Sequence, residues 1–255
     1  MMTSLKAEFW REIWIYKRYP MEQITNLFLV VLIFMAIFWR GSLVGGGIVG
    51  SSLNALVVGY TLWTLIQNTI SEMAQTVVSQ AESGIVEQQY LMPISSKRLF
   101  FNKSIVNIVF SLIRSILVLI AIMWLTNHWI KLPLIVVIPF ILSLMTTIGL
   151  GYLMSSLVLR FKRVGGILII FQYVYLAVLL TDFENYSIII KILSCLLPIS
   201  PMVSWIRLAI SSHVYNLSFY LVGSIFNTIL WLIIGVITFN LADKYVKKNG
   251  TLAQY

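Results

Sequence analysis

Residues 71–104 read SEMAQTVVSQAESGIVEQQYLMPISSKRLFFNKS, a long polar interruption in a chain that is otherwise mostly apolar. They carry Glu72, Gln75, Gln80, Glu82, Glu87, Gln88 and Gln89, then Lys97, Arg98 and Lys103. A segment with so many polar groups belongs in water, because in hydrocarbon each of them needs a partner. Gly84 suits a helix cap, and Glu87 then falls at the third helical position, where a carboxylate meets free amides and the positive end of the helix. The pattern predicts a short helix from about Ile85 to Leu91. Pro93 ends it by disfavouring helix at Met92 and removing an amide, and Ser95 or Ser96 caps a new helix. Ile85, Val86, Tyr90 and Leu91 form no clean stripe because Gln88 and Gln89 fall between them, so this surface suits docking on a protein better than lying on lipid.

What the segment interrupts is a membrane protein. Of 255 residues, 59% are hydrophobic and 11% charged, and the mean hydropathy is +0.91, a composition that reads as polytopic. A span needs about 20 mostly apolar residues. Six stretches qualify, at about 23–39, 48–70, 104–125, 134–159, 164–181 and 217–241. The expected fold is therefore all-α, a single transmembrane domain over 1–255 with a cytoplasmic segment at 71–103, and it leaves no room for a soluble catalytic domain. The single cysteine, Cys195, excludes an internal disulfide, and no Cys or His cluster offers a metal site. His128 and His213 stand beside Trp129 and Tyr215 and read as interfacial packing.

In chain order, Leu5, Phe9, Ile13 and Tyr16 share one helical stripe, with Trp10 and Trp14 beside it and Lys6, Arg11, Lys17 and Arg18 on the flanks. Residues 1–20 read as an interfacial helix on the inner leaflet. No small-residue cleavage site follows the apolar run, so it is not read as a signal peptide. Arg40 and the run Gly45, Gly46, Gly47 are expected to form an outer loop; the glycines follow no strand, which excludes a nucleotide-binding reading. The span at 48–70 is unusually polar, with Ser51, Ser52, Asn54, Tyr60, Thr61, Thr64, Gln67 and Asn68. Such groups either line a translocation path or bond neighbouring helices.

Arg114 sits about 15 Å along the third span at 1.5 Å per residue. A central arginine costs roughly 2.5–3.5 kcal/mol on insertion scales, so it calls for a partner such as Glu72, an anionic substrate group, or snorkelling to the inner headgroups. Gly149 and Gly151 allow close helix approach in the fourth span. Residues 188–197 and 202–211 are two apolar pieces split by Pro198 and Pro201. Each reaches only about 15 Å, half the hydrocarbon thickness. A re-entrant helical hairpin at 186–212, dipping in from the outer face, accommodates both.

By this topology Lys6, Arg11, Lys17, Arg18, Lys97, Arg98, Lys103, Arg160, Lys162, Arg163, Lys244, Lys247 and Lys248 lie inside, against Arg40, Lys131, Lys191 and Arg207 outside. Positive charge concentrates on the cytoplasmic side, which puts both termini in the cytoplasm. The formal charge of +9 is thus orientation and not nucleic-acid recognition.

The run Glu82, Gly84, Ile85, Val86, Glu87, then Leu91, Met92 and Pro93, followed by Lys97 and Arg98, resembles the E-x-G-T-L-E-x-L-x-x-x-P pattern of ABC-2 type ATP-binding cassette permeases. The sequence departs from it at Ile85 for Thr and Val86 for Leu. In that family the pattern is a coupling helix between spans two and three that sits on a separate ATPase subunit, which implies coupling roles for Glu82, Gly84, Ile85, Val86, Glu87, Gln88, Leu91 and Pro93. The interfacial helix, the span order and the outer hairpin are similar as well. Leu197 to Pro201 and Trp205 to Arg207 resemble the family's L-P-x-x-P and W-x-R elements, so Pro198, Pro201, Trp205 and Arg207 are candidates for an outer gate. Asn54, Tyr60, Thr64, Gln67, Asn68 and Arg114 are candidates for the path.

The chain carries no G-x-x-x-x-G-K-[ST] loop, so ATP and Mg²⁺ are expected on a partner ATPase and no cofactor on this chain. The resemblance implies an exporter of two permease chains, identical or paralogous, with two ATPase subunits, in the cytoplasmic membrane of a bacterium. YKRYP at 16–20 looks more like the drug and antibiotic branch than the polysaccharide branch. The expected cargo is a hydrophobic or amphiphilic drug, antibiotic or peptide, with a lipid-linked polysaccharide as the alternative. A secondary transporter usually places ionisable groups near the midplane, and apart from Arg114 the spans have none there. An intramembrane enzyme would need a His–Glu ligand spacing or G-x-S-x-G, neither of which is present. A non-transporting membrane scaffold is a further alternative.

Overall fold

A computed structural model describes residues 2–44, 53–82, 96–127, 129–130, 133–161, 165–211 and 215–249. Within them the chain is helical and without strands. Helix α1 covers Met2–Arg18 and α2 covers Pro20–Val44. Tyr19 stands between them because the residue before a proline is pushed out of the helical region, while Pro20 is well suited to open the next helix. Helix α2 continues through Arg40 to Val44, so the loop expected from Arg40 does not begin there, since a single Gly41 does not stop a helix; Gly45, Gly46 and Gly47 lie outside the described residues.

Helix α3 spans Leu53–Glu82 and α4 spans Ser96–Leu125. Each has 30 residues, about 45 Å at 1.5 Å per residue and well beyond the roughly 30 Å of hydrocarbon. Between 53 and 82 there is no proline and only Gly59, so nothing ends α3 where its hydropathy falls near residue 70. A 3₁₀ turn at Leu134–Val136 leads into α5, Val137–Phe161. Helix α6, Gly165–Leu180, is followed by a 3₁₀ turn at Phe183–Asn185, then α7, Ile188–Ser194, and α8, Ser200–Ile210. Helix α8 starts before Pro201, which occupies its first turn, where a missing amide costs nothing. Helix α9 runs from Leu217 to Asn249.

Four stretches among the described residues are long and apolar enough to cross a bilayer: Pro20–Trp39, Phe101–Leu125, Leu134–Phe161 and Leu217–Val246. Helix α6 is apolar but shorter, with 16 residues, and α3 is long but polar. Helix α3 packs against α4, α5, α6 and α8 and supplies much of the core, including the fully buried Tyr60, Trp63, Leu65, Ile66 and Ile70. The most extensive contact joins α5 to α9. There a Cβ on Gly149 would collide with the carbonyl of Trp231, and one on Gly235 with the carbonyl of Gly149. The backbones touch, as small residues at helix interfaces permit. Gly151 faces α3 instead, under the sulfur of Met73.

Candidate functional site

Helix α1 docks lengthwise on α4, with Phe9 and Tyr16 against Phe110 at ring-centroid distances of 5.3 and 5.1 Å. That seat carries Tyr16 to Arg114, one helical turn further along α4. One guanidinium nitrogen of Arg114 donates to the Glu72 carboxylate of α3 and to the Tyr16 phenol oxygen of α1, and the other donates to Asn68 Oδ1 of α3 at 3.2 Å. Asn68 and Glu72 are four residues apart and so share one face of α3. The guanidinium also lies 5.6 Å from the Tyr16 ring centroid, in reach of a cation–π contact. Arg114 thus joins three helices and pairs with Glu72, the first arrangement considered for it. Burial raises the Glu72 carboxyl above its ordinary range, while the charge of Arg114 pulls it back. The Tyr16 phenol is raised by burial and by the charge of Glu72.

Of the remaining path candidates, Tyr60 donates to the Val30 carbonyl of α2, and Thr64 donates to the Thr61 carbonyl at 2.7 Å and to Ser115 of α4 at 3.4 Å. Both side chains are fully buried. Asn54 and Gln67 are half-buried on the same helix. The bonds made by Tyr60, Thr64 and Asn68 hold α3 to its neighbours. Glu82 is the last residue of α3; Gly84, Ile85, Val86, Glu87, Gln88, Leu91 and Pro93 lie outside the described residues. The ends of α3 and α4 flank that segment. Among the described residues no three of His, Cys, Asp and Glu come together as a metal ion would require.

Residues 3–210 match the family model for the ABC-2 type transporter. The chain belongs to that family. No curated protein matches it. This ABC-2 chain is a multi-pass transport permease, of a family that typically works with an ABC ATPase partner.

The ABC-2 permease has a second multiply bonded arginine, where α8 meets the end of α6 and the first turn of α3. Arg207 is 4% exposed. It donates to the carbonyls of Ala55 at 3.1 Å, Thr181 at 2.9 Å and Leu179 at 2.6 Å, and to Asp182 Oδ1 at 2.9 Å. Glu184 Oε1 lies 3.7 Å away, its carboxyl raised by burial and drawn back down by Arg207. Carbonyls at the end of a helix have no intrahelical donor; the guanidinium supplies one to the last turn of α6 and ties it to the first turn of α3. Gly59 leaves the room: a Cβ there would sit 2.6 Å from both Arg207 Nη2 and the Leu179 oxygen.

The turn from α7 to α8 places Ile199 at φ 65°, in the left-handed region that a β-branched residue enters at a cost of about 1–2 kcal/mol. Asn227 of α9 holds it there, accepting from the Ile199 amide at 3.1 Å and donating to the carbonyls of Cys195 at 2.7 Å and Leu197 at 2.8 Å. Pro198 lies within this turn, and Pro201 sits in the first turn of α8. Trp205 is fully buried, its indole nitrogen 3.4 Å from the Tyr215 hydroxyl. Sequence reasoning missed Asn227 and Tyr16 as partners. A lone asparagine within an apolar helix is a signal that points to the former.

Proposed function

We propose that this ABC-2 permease is the membrane subunit of an ATP-driven exporter for a hydrophobic or amphiphilic drug, antibiotic or peptide. Residues 82–93 dock on a separate ATPase subunit that carries ATP and Mg²⁺, and two permease chains work with two such subunits. The chain crosses the cytoplasmic membrane of a bacterium six times, α3 and α6 included, with both termini inside.

The observation that carries this reading is the pair α3 and α4. Both overrun the hydrocarbon thickness and flank the segment bearing the coupling pattern, so displacement of that segment acts on two continuous helices and not on a slack loop. Arg114, Glu72 and Tyr16 tie both helices to α1. ATP-driven closure of the ATPase pair then moves α3 and α4 together, shifts the permease interface and releases cargo outward.

Purification of the tagged chain from its native membrane in mild detergent, followed by mass spectrometry of what accompanies it, tests the assignment. A Walker-motif ATPase is expected with the wild type and is lost from a Gly84→Pro, Glu87→Arg double variant. An intact complex without an ATPase, or one that the double variant retains in full, rules the coupling role out.

A further inference from the structure

Between α1, α2 and α4 lies a cavity of about 470 Å³, within the size range of small-molecule sites. Its walls are almost wholly apolar, with Ile24, Ile113 and Leu117 among them; Lys17, Gln23 and Arg114 also line it, and no acidic residue does. The three apolar residues are 62%, 51% and 49% exposed. The cavity therefore opens sideways between α2 and α4, where the hydrocarbon of one leaflet would lie. Glu72 balances the charge of Arg114, which leaves Lys17 as the cation on the cavity without an ion pair among the described residues. Its ammonium lies 5.8 Å from the ring centroid of the exposed Trp14, and tryptophan with a basic residue is the side-chain pairing of the headgroup layer.

The exposed ammonium of Lys17 beside an open aliphatic cavity matches a molecule that is anionic at one end and hydrocarbon along the rest. A molecule already in the leaflet reaches this opening without crossing the protein. We propose that the cavity seats one anionic phospholipid of the leaflet on the α1 side, with its phosphate against Lys17 and Gln23 and an acyl chain along Ile24, Ile113 and Leu117. The lipid fills the space beside the Tyr16–Arg114 contact and braces α1 against α4. The assignment does not depend on which compound is exported.

The test uses the full chain, purified, stripped of lipid and titrated in native mass spectrometry with phosphatidylglycerol or with phosphatidylcholine of the same acyl chains. The wild type is expected to bind one phosphatidylglycerol about fivefold more tightly than phosphatidylcholine, the preference that one basic residue near an anionic headgroup provides. Lys17→Glu, at an exposed position, abolishes that preference and leaves the melting temperature of the lipid-free chain unchanged. Ile113→Trp fills the cavity and weakens both lipids at least tenfold; Leu117→Trp repeats the test should the first variant fold poorly. Equal affinity for the two lipids, a preference that survives Lys17→Glu, or binding that survives both tryptophans overturns the proposal. So does release of the lipid during ATP turnover with the ATPase present, which would make the cavity an entrance for cargo.

Discussion

Arg207 is buried and Arg114 half-buried, and the two are held by different kinds of partner. Arg207 is caged by the carbonyls of Ala55, Leu179 and Thr181, which α3 and the end of α6 present whatever their side chains, together with the Asp182 carboxylate. Arg114 is held by three side chains, Glu72, Tyr16 and Asn68, from two other helices. A carbonyl cage cannot be exchanged for another partner without moving the helix that carries it, so Arg207 fixes the corner. A side-chain cluster can lose or swap a member by a rotamer change, so Arg114 can release Tyr16 and α1 while Glu72 and Asn68 still hold α3 to α4.

The contrast can be broken at four points. Arg207→Leu has the largest effect: it removes the buried cation beside Asp182 and Glu184 and a donor from three carbonyls, and is expected to cost about 3–5 kcal/mol, read as lost folded yield and a lower melting temperature in detergent. Arg207→Lys recovers only part of this, because an ammonium lacks the planar fork that reaches several acceptors. Gly59→Ala attacks the same cage without touching its charge, by pushing Arg207 and the Leu179 carbonyl apart, at about 1–3 kcal/mol. At the inner cluster, Arg114→Leu and Glu72→Leu are each destabilising alone, yet the double variant recovers much of the loss, with a coupling of about 1–2 kcal/mol in a thermal-melt cycle. If the Arg207 cage showed the same recovery with Asp182→Leu, the distinction drawn here would fail. Tyr16→Phe is mildest, about 0.5–1.5 kcal/mol, since Glu72 and Asn68 remain on the guanidinium.

The two sites were also unequally legible in the sequence. Arg114 stood out as a lone cation in an apolar run, and Glu72 could be named because helical spacing places it at the end of the preceding span. Tyr16 could not, since its role depends on α1 lying along α4, a tertiary fact that the stripe Leu5, Phe9, Ile13, Tyr16 suggests only as one apolar face. Arg207 drew notice through W-x-R, but its main partners are backbone carbonyls, and every residue has one. Hydropathy marked where the membrane would end near residue 70, while the helix itself continued to Glu82 for want of a breaker. The all-helical fold followed from composition, and the split at Pro198 and Pro201 foretold the short helices α7 and α8.

At the crossing of α5 and α9, Gly149 and Gly235 place main chain against main chain with no side chain between them. Surfaces that interlock this closely have no lubricating layer of rotamers, so sliding one over the other would lift the whole contact at once. The two helices therefore behave as one plank during the transport cycle. Relative motion is left to the side of the bundle where side chains intervene, with the flexible thioether of Met73 over Gly151 as the nearest bearing.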